Sequence, residues 1–176
     1  MMTLLTGGSK CGKSSLAERI LEAYPAEKLY IAAMQPYGED AQAIIARHHA
    51  MRLGKGFRTV ECYTDSERLE IPHKCAVLLE CLGNLCANEM FRDSGICDPF
   101  PPVRAGILHL KAHAEELVIV TNEVGADGIT YSAETMQYIR NLGKINAFAA
   151  ACADTVIECT AGIPLLLKGE LPCCIR

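Results

Sequence analysis

A nine-residue segment near the start of the chain, GGSKCGKSS at residues 7–15, places the strongest constraint on the fold. It satisfies the spacing Gly-x-x-x-x-Gly-Lys-Ser/Thr at Gly7, Gly12, Lys13 and Ser14. An apolar run precedes it, and a segment of helical composition follows it. Glycines let the backbone adopt positive φ and approach an anion closely, while the start of the helix directs N–H groups towards the same point. This segment, called the P-loop below, therefore predicts a strand, a phosphate-binding loop and a helix in that order.

The P-loop also predicts the ligand, a nucleoside triphosphate, and two of its contacts. We expect Lys13 to be catalytic, because its ammonium group neutralises charge on the β- and γ-phosphates. The Ser14 hydroxyl is a predicted ligand of Mg²⁺, and Glu80, at the end of the apolar run VLLE, is the predicted second ligand. A carboxylate facing solvent is the alternative for Glu80. The P-loop residues predicted to bind nucleotide are Gly7, Gly8, Ser9, Lys10, Cys11, Gly12, Lys13 and Ser14.

Two further polar residues, Asn122 and Glu123, follow another apolar run. Ligands of open α/β sheets collect at the carboxyl ends of strands, so these side chains could face the nucleotide. Hydrogen bonds that only cap the loop are the alternative for both.

Apolar runs alternate with segments of helical period along the whole chain. This alternation, with its long crossovers, predicts an α/β fold: a mostly parallel central sheet with helices on both faces. With no linker, repeat or low-complexity segment, residues 1–176 are predicted to form a single P-loop nucleotide-binding domain. The predicted strands are 3–6, 28–34, 57–63 (edge or half-exposed), 75–82, 117–125, 154–162 and 163–168 (hairpin or edge partner). The predicted helices are 12–24, 39–53, one ending at Phe91, 103–116 after a loop at 98–102, and one capped by Ser132 that runs to Cys152.

Composition excludes several classes of protein. The formal net charge of the 176 residues is −4, so no basic field favours a nucleic-acid partner. No apolar run reaches the ~18–20 residues that span a membrane, and the first residues lack the regions of a signal peptide. The ten cysteines contain no Cys-x-x-Cys pair, and several lie in apolar runs. We therefore expect reduced thiols in a cytoplasmic protein.

Two adjacent histidines, His48 and His49, lie in a segment predicted to be helical. A solvated helix face is one interpretation, and a metal site is weak because adjacent helical side chains diverge. The third interpretation is nucleophilic catalysis, since a neutral imidazole can attack phosphorus directly. Arg47 and Arg52 could then hold the triphosphate. Three further histidines are expected to be uninvolved: His109 and His113 on an exposed helix face, and His73 in a loop.

Segments along nearly the whole chain carry a family resemblance: LLTGGSKCGKS, LYIAAMQ, the histidine segment, FRTVE, VLLECLGN, VTNEVG, YIRNLGKIN and ADTVIECTAGIPLLLK. The chain resembles the bifunctional adenosylcobinamide kinase/adenosylcobinamide-phosphate guanylyltransferases of cobalamin biosynthesis. The resemblance implies a RecA-like P-loop NTPase fold and a homotrimer that takes a corrinoid substrate. It also implies two reactions. ATP or GTP phosphorylates adenosylcobinamide, and GMP then passes from GTP through a GMP-histidine intermediate to give adenosylcobinamide-GDP.

The resemblance also implies residue roles. The family pattern Arg-Ile-x-x-His-Arg-x-x-Arg fits with His48 as the nucleophile, because Ile45 and Arg52 then match it. Ile44 and His49 stand where arginines are usual. Phe57 replaces a common tryptophan, and GADGITYSAE lacks the family's proline. Two alternatives therefore stay open: a small-molecule kinase that lost guanylyl transfer, and a GTP-binding regulatory switch. The nucleotide-contact residues that the resemblance adds are Ala33, Met34, Gln35, His49, Ala50, Met51, Arg52, Glu61 and Glu80.

Overall fold

A computed structural model describes residues 1–175, without the side chains of residues 38–41, 48, 49 and 51. The strands are β1 (Met2–Thr6), β2 (Lys28–Ala32), β3 (Phe57–Glu61), β4 (Ala76–Glu80), β5 (Phe91–Arg92), β6 (Gly95–Ile96), β7 (Glu116–Val120), β8 (Thr155–Thr160) and β9 (Ile163–Lys168). The α-helices are α1 (Lys13–Glu22), α2 (Gly38–Arg52), α3 (Leu82–Met90), α4 (Phe100–His113) and α5 (Ala133–Cys152). The predicted alternation of strands and helices is confirmed.

Seven strands form one sheet in the order β3-β2-β4-β7-β1-β8-β9. Every neighbouring pair is parallel except β8 and β9, which form an antiparallel hairpin. The mostly parallel sheet is therefore confirmed, as are the edge position of β3 and the hairpin partnership of β9. Strands β5 and β6 pair separately as a small antiparallel ribbon.

Helices cover both faces of the sheet, because successive side chains of each inner strand point to opposite sides. In β1, Leu4 packs into a core built with α3, α4 and α5, whereas Leu5 packs into a second core with α1. In β4, Val77 and Leu79 face the first core and Leu78 faces the second. No helix in residues 1–175 combines the length and apolar character needed to cross a bilayer.

Several element boundaries differ from the prediction. Helix α4 begins at Phe100, three residues early, because Pro101 and Pro102 lie in its first turn, where a missing N–H breaks no helical hydrogen bond. It ends at His113, so that β7 can begin at Glu116. Strand β7 ends at Val120, five residues before the predicted end at residue 125. Strands β2, β3 and β4 each end two residues before their predicted ends. After β2, β3 and β7 the chain forms loops at the carboxyl edge of the sheet, and after β4 it enters α3 at Leu82.

The prediction that His109 is exposed is wrong. Its ring is half-buried, and its Nε2 lies 2.8 Å from the carbonyl oxygen of Leu69. The segment that contains Leu69 packs across α4, and helical period alone cannot show such a contact. His113 is exposed as predicted, and His73 lies in a turn before β4. The predicted cap of α5 is confirmed, since the Ser132 side chain accepts a hydrogen bond from the N–H of Thr135.

Candidate nucleotide-binding site

The P-loop connects β1 to α1, as the sequence predicts, and its glycines have conformations that other residues rarely adopt. Gly7 has φ of +132° and Gly12 has φ of +101°. A Cβ atom on Gly7 would lie 2.5 Å from the carbonyl oxygen of Cys159 in β8. The loop is therefore tightly seated against the neighbouring strand, and Gly7 is required both for its backbone angle and for this close approach.

Lys13, the first residue of α1, lies inside the P-loop rather than on the surface. Its side chain is only 5% exposed. Its Nζ donates hydrogen bonds to the carbonyl oxygens of Gly7 (2.8 Å) and Gly8 (2.5 Å). A phosphate oxygen carries more negative charge than a carbonyl oxygen, so an anion in the loop would be a stronger partner for this ammonium group.

Ser14 and Glu80 are in direct contact, as their predicted shared role requires. The Ser14 hydroxyl donates a hydrogen bond to Glu80 Oε1, and the Tyr30 hydroxyl donates one to Glu80 Oε2 at 3.0 Å. Glu80 is 7% exposed, so the solvent-facing alternative is wrong. Burial, and then the charge of Glu80, raise the pKa of Tyr30, so its hydroxyl remains a donor at neutral pH. A hydroxyl oxygen beside a carboxylate is a donor set that suits Mg²⁺.

Arg52, the last residue of α2, is buried beside this carboxylate without full pairing. Its guanidinium carbon lies 3.4 Å from the centre of the Tyr30 ring, and the residue is 6% exposed. Its Nε and Nη1 find no hydrogen-bond partner within the described part of the chain. Unpaired buried donors are unfavourable, which points to a ligand that supplies acceptors.

These elements enclose a cavity of about 470 Å³ above the P-loop. Among the predicted residues, the lining includes Ser9, Lys10, Cys11, Gly12, Lys13, Ser14, Met34, Arg47, Arg52, Glu61 and Glu80. Gly7, Gly8, Ala33, Gln35 and Ala50 are not part of the lining. Ala33 is fully buried, and its N–H donates to the carbonyl oxygen of Glu80. The side chains of His48, His49 and Met51 fall outside the described residues.

The two predicted residues in the loop after β7, Asn122 and Glu123, have different contacts. Asn122 lines the cavity, and its Nδ2 lies 3.8 Å from Cys81 Sγ. Glu123 instead forms hydrogen bonds with the P-loop and the end of β1. Its N–H donates to the Gly7 carbonyl oxygen at 3.2 Å, and its carboxylate accepts from Thr6 Oγ1. The loop-capping interpretation therefore describes the contacts of Glu123.

Sequence reasoning missed Tyr30 and Asn84, which also line the cavity. Tyr30 is the one polar side chain in the apolar segment LYIA. Its hydroxyl needs a hydrogen-bond acceptor when it is buried. Asn84 lies in the first turn of α3, just after β4. The signal for both was their position in or just after β2 and β4, two strands of the parallel sheet whose carboxyl ends lie at the same edge as that of β1.

Comparison with known proteins follows this geometry. A family model described as cobinamide kinase / cobinamide phosphate guanyltransferase, CobU, matches residues 3–167. The chain belongs to this family. It is similar to the bifunctional adenosylcobalamin biosynthesis protein CobU of Salmonella typhimurium, with 31% identity over 96% of this chain and 100% of that protein. The protein of the same name from Escherichia coli is 32% identical over the same shares of the two chains.

A comparison with solved structures supports the fold alone. An ATPase from the type III secretion system of pathogenic bacteria superposes with a TM-score of 0.51 at 14% identity. The superposition covers 89% of this chain and 50% of the ATPase chain. The P-loop NTPase fold predicted from the sequence is therefore confirmed.

Proposed function

We propose that the chain is an adenosylcobinamide kinase and adenosylcobinamide-phosphate guanylyltransferase. It phosphorylates adenosylcobinamide with ATP or GTP and then transfers GMP from GTP, which gives adenosylcobinamide-GDP. The observation that carries the proposal is the group of buried charged side chains at one cavity: Lys13, Glu80 and Arg52. Membership of the CobU family supports the same pair of reactions.

In the kinase step, Lys13 exchanges its carbonyl contacts for the β- and γ-phosphates and stabilises the charge that develops on the transferred phosphoryl group. Ser14 and Glu80 would hold Mg²⁺, which neutralises phosphate charge when it is bound. Tyr30 keeps the Glu80 carboxylate oriented. The acceptor is the hydroxyl of the aminopropanol arm of the corrinoid, and its oxygen forms the new bond to phosphorus.

In the guanylyl step, we assign the covalent carrier to His48. The helical period of α2 supports this choice, because Ile44 and Arg52 both line the cavity and His48 is four positions from each. The imidazole nitrogen attacks the α-phosphorus of GTP, a P–N bond forms, and pyrophosphate leaves. A phosphate oxygen of adenosylcobinamide phosphate then attacks the same phosphorus, and the P–N bond breaks. Arg52 stabilises negative charge in both displacements.

One observation favours a second candidate, a kinase without guanylyl transfer. Ile44, which stands where the family usually has an arginine, lines the cavity. The site itself would therefore lack the positive charge that an arginine at this position supplies. The two candidates make the same prediction for the first reaction and opposite predictions for covalent labelling.

Labelling with GTP that carries radioactive α-phosphate separates them. We expect the wild-type protein and His49→Ala to retain an acid-labile, base-stable label, and His48→Ala to lose it while keeping most of its kinase activity. His49→Ala is the matched control, because an adjacent helical position points about 100° away. An unlabelled wild-type protein with normal kinase activity would support the kinase alone. Loss of label in His49→Ala but not in His48→Ala would show that the other histidine is the carrier.

Family resemblance also leads us to propose a cytoplasmic homotrimer, in which residues 1–176 of each copy act as one nucleotide-binding domain. Strand β9 supports the assembly, because it lies at the edge of the sheet with exposed apolar side chains. The exposed fractions are 61% for Ile163, 45% for Leu165 and 59% for Leu167. An uncovered apolar edge strand favours association between chains.

A further inference from the structure

Cys11 in the P-loop contacts Cys159 in β8, although 148 positions separate the two residues. The Cys159 thiol donates a hydrogen bond to the carbonyl oxygen of Cys11 at 3.0 Å. The N–H of Gly162 donates to the same oxygen, also at 3.0 Å. Since C=O and Cα–C bonds are about 1.2 and 1.5 Å long, Cys159 Sγ lies within about 6 Å of the Cys11 Cα atom. The Cys159 thiol also has a side-chain hydrogen bond with Cys11, which is one of the causes that raise its pKa, so the two thiols face each other.

The two thiols have different surroundings. Cys11 is half-exposed, lines the cavity, and has Lys13 Nζ 3.5 Å from its Sγ. The cavity lets a dissolved disulfide reach this sulfur atom beside a positive charge. Cys159 is 2% exposed, and its burial, followed by the presence of Cys11, raises the pKa of its thiol. Cys11 is therefore suited to react first with a molecule from solution, and Cys159 to react second.

We propose that Cys11 is a redox modification site and that Cys159 is its resolving partner. The co-reactant is a low-molecular-weight disulfide. The Cys11 thiolate attacks one sulfur of that disulfide, an S–S bond breaks, and one small thiol leaves. Cys159 then loses its proton to solvent and attacks Cys11 Sγ in the mixed disulfide, and the second small thiol leaves. Two protein thiols are oxidised while one small disulfide is reduced to two thiols.

A nucleotide in the P-loop should oppose this reaction, and this part of the inference rests on the proposed function. In the empty site, the Lys13 ammonium group contacts both the loop carbonyls and Cys11 Sγ. A triphosphate draws that ammonium group away and brings negative charge towards the thiol. The bound triphosphate also covers Cys11 Sγ, which lines the same cavity, so a dissolved disulfide reaches that sulfur less readily. The effect is reciprocal at equilibrium. Bound nucleotide lowers the equilibrium constant for oxidation, and oxidation lowers the affinity for the nucleotide by the same factor.

The experiment uses the full reduced chain, oxidised glutathione as the probe, and peptide mass mapping without reductant. We expect a Cys11–Cys159 cross-link in the wild-type protein. Cys159→Ser should instead accumulate a glutathione adduct on Cys11, because the resolving thiol is absent. Cys11→Ser should leave Cys159 unmodified. Cys97, which is also half-exposed but lies outside the cavity lining, is the internal control for general thiol reactivity.

Three results would overturn the proposal: an adduct on Cys11 that never resolves in the wild-type protein, modification of Cys11 no faster than that of Cys97, or a cross-link from Cys11 to another cysteine. GTP with Mg²⁺ should slow the modification of Cys11 at least about tenfold and leave Cys97 unaffected. Nucleotide binding to the reduced protein is measured separately by thermal shift. Binding without protection of Cys11 refutes the coupling alone, whereas absence of binding refutes the proposed function and leaves the cross-link as an independent result.

Discussion

Replacement of Arg52 by methionine tests whether its burial serves the ligand or the fold. Methionine keeps an apolar stem over the Tyr30 ring and removes the guanidinium group. The change forfeits a desolvated cation–π contact of about 2 kcal/mol. It also removes Nε and Nη1, two donors without a partner among the described residues, which cost about 1–3 kcal/mol each. We therefore expect the free energy of unfolding of the nucleotide-free protein to stay the same or rise by up to about 4 kcal/mol.

The same substitution should weaken nucleotide binding. One hydrogen bond between the guanidinium group and a phosphate oxygen contributes about 1.5–3 kcal/mol, so the Kd should rise about 10–150-fold. Urea unfolding measures the first effect, and calorimetric titration measures the second. Arg58→Met is the matched control, because Arg58 is a surface residue paired with Glu27 and its loss should change stability by less than about 1 kcal/mol and leave Kd unaltered. A destabilised Arg52→Met protein with wild-type Kd would refute the reasoning.

The remaining predictions concern the P-loop and the assembly. Lys13→Met should lower both activities about 10²–10³-fold or more in steady-state assays, and near-normal turnover would show that Lys13 is not catalytic. Gly7→Ala should lower the free energy of unfolding by about 1–3 kcal/mol in urea, since its Cβ would lie 2.5 Å from a carbonyl oxygen. Gly8→Ala is its control, with no atom within 4 Å of the added carbon, and equal midpoints for the two variants would contradict the strain argument. Sedimentation should give a trimer at micromolar concentration, and a fully active monomer would disprove that assembly.

The parts of the site that were predictable from the sequence depend on local patterns. The P-loop follows from the spacing of its glycines and Lys13, and that spacing dictates the strand before it and the helix after it. The contact between Ser14 and Glu80 was foreseeable. The P-loop follows β1, Glu80 ends β4, and the carboxyl ends of these parallel strands lie at one edge of the sheet. Both inferences required only that a strand be recognised in the sequence, together with the polar residues at its carboxyl end.

The parts that were not predictable depend on long-range packing. Strand β2 is buried on both faces, so its apolar pattern cannot show that Tyr30 points towards Glu80 rather than towards α3. The contact between Cys11 and Cys159 joins the first loop to the eighth strand, and no local pattern encodes that pairing. His109 is half-buried for the same reason, because a distant segment covers the polar face of its helix.

The empty site has an excess of hydrogen-bond donors over good acceptors, and this imbalance explains how one cavity could serve two phosphorus chemistries. Lys13 donates to neutral carbonyl oxygens, and Arg52 stacks on the Tyr30 ring with two donors that have no partner in the part of the chain that the structure describes. Glu80 is the acidic counterpart, but Ser14 and Tyr30 already donate to it. The fold therefore holds two cations in place before any anion arrives, and little reorganisation is needed when a triphosphate enters. Because Lys13 begins α1 and Arg52 ends α2, the two cations reach the cavity from different elements, and one nucleotide can contact both.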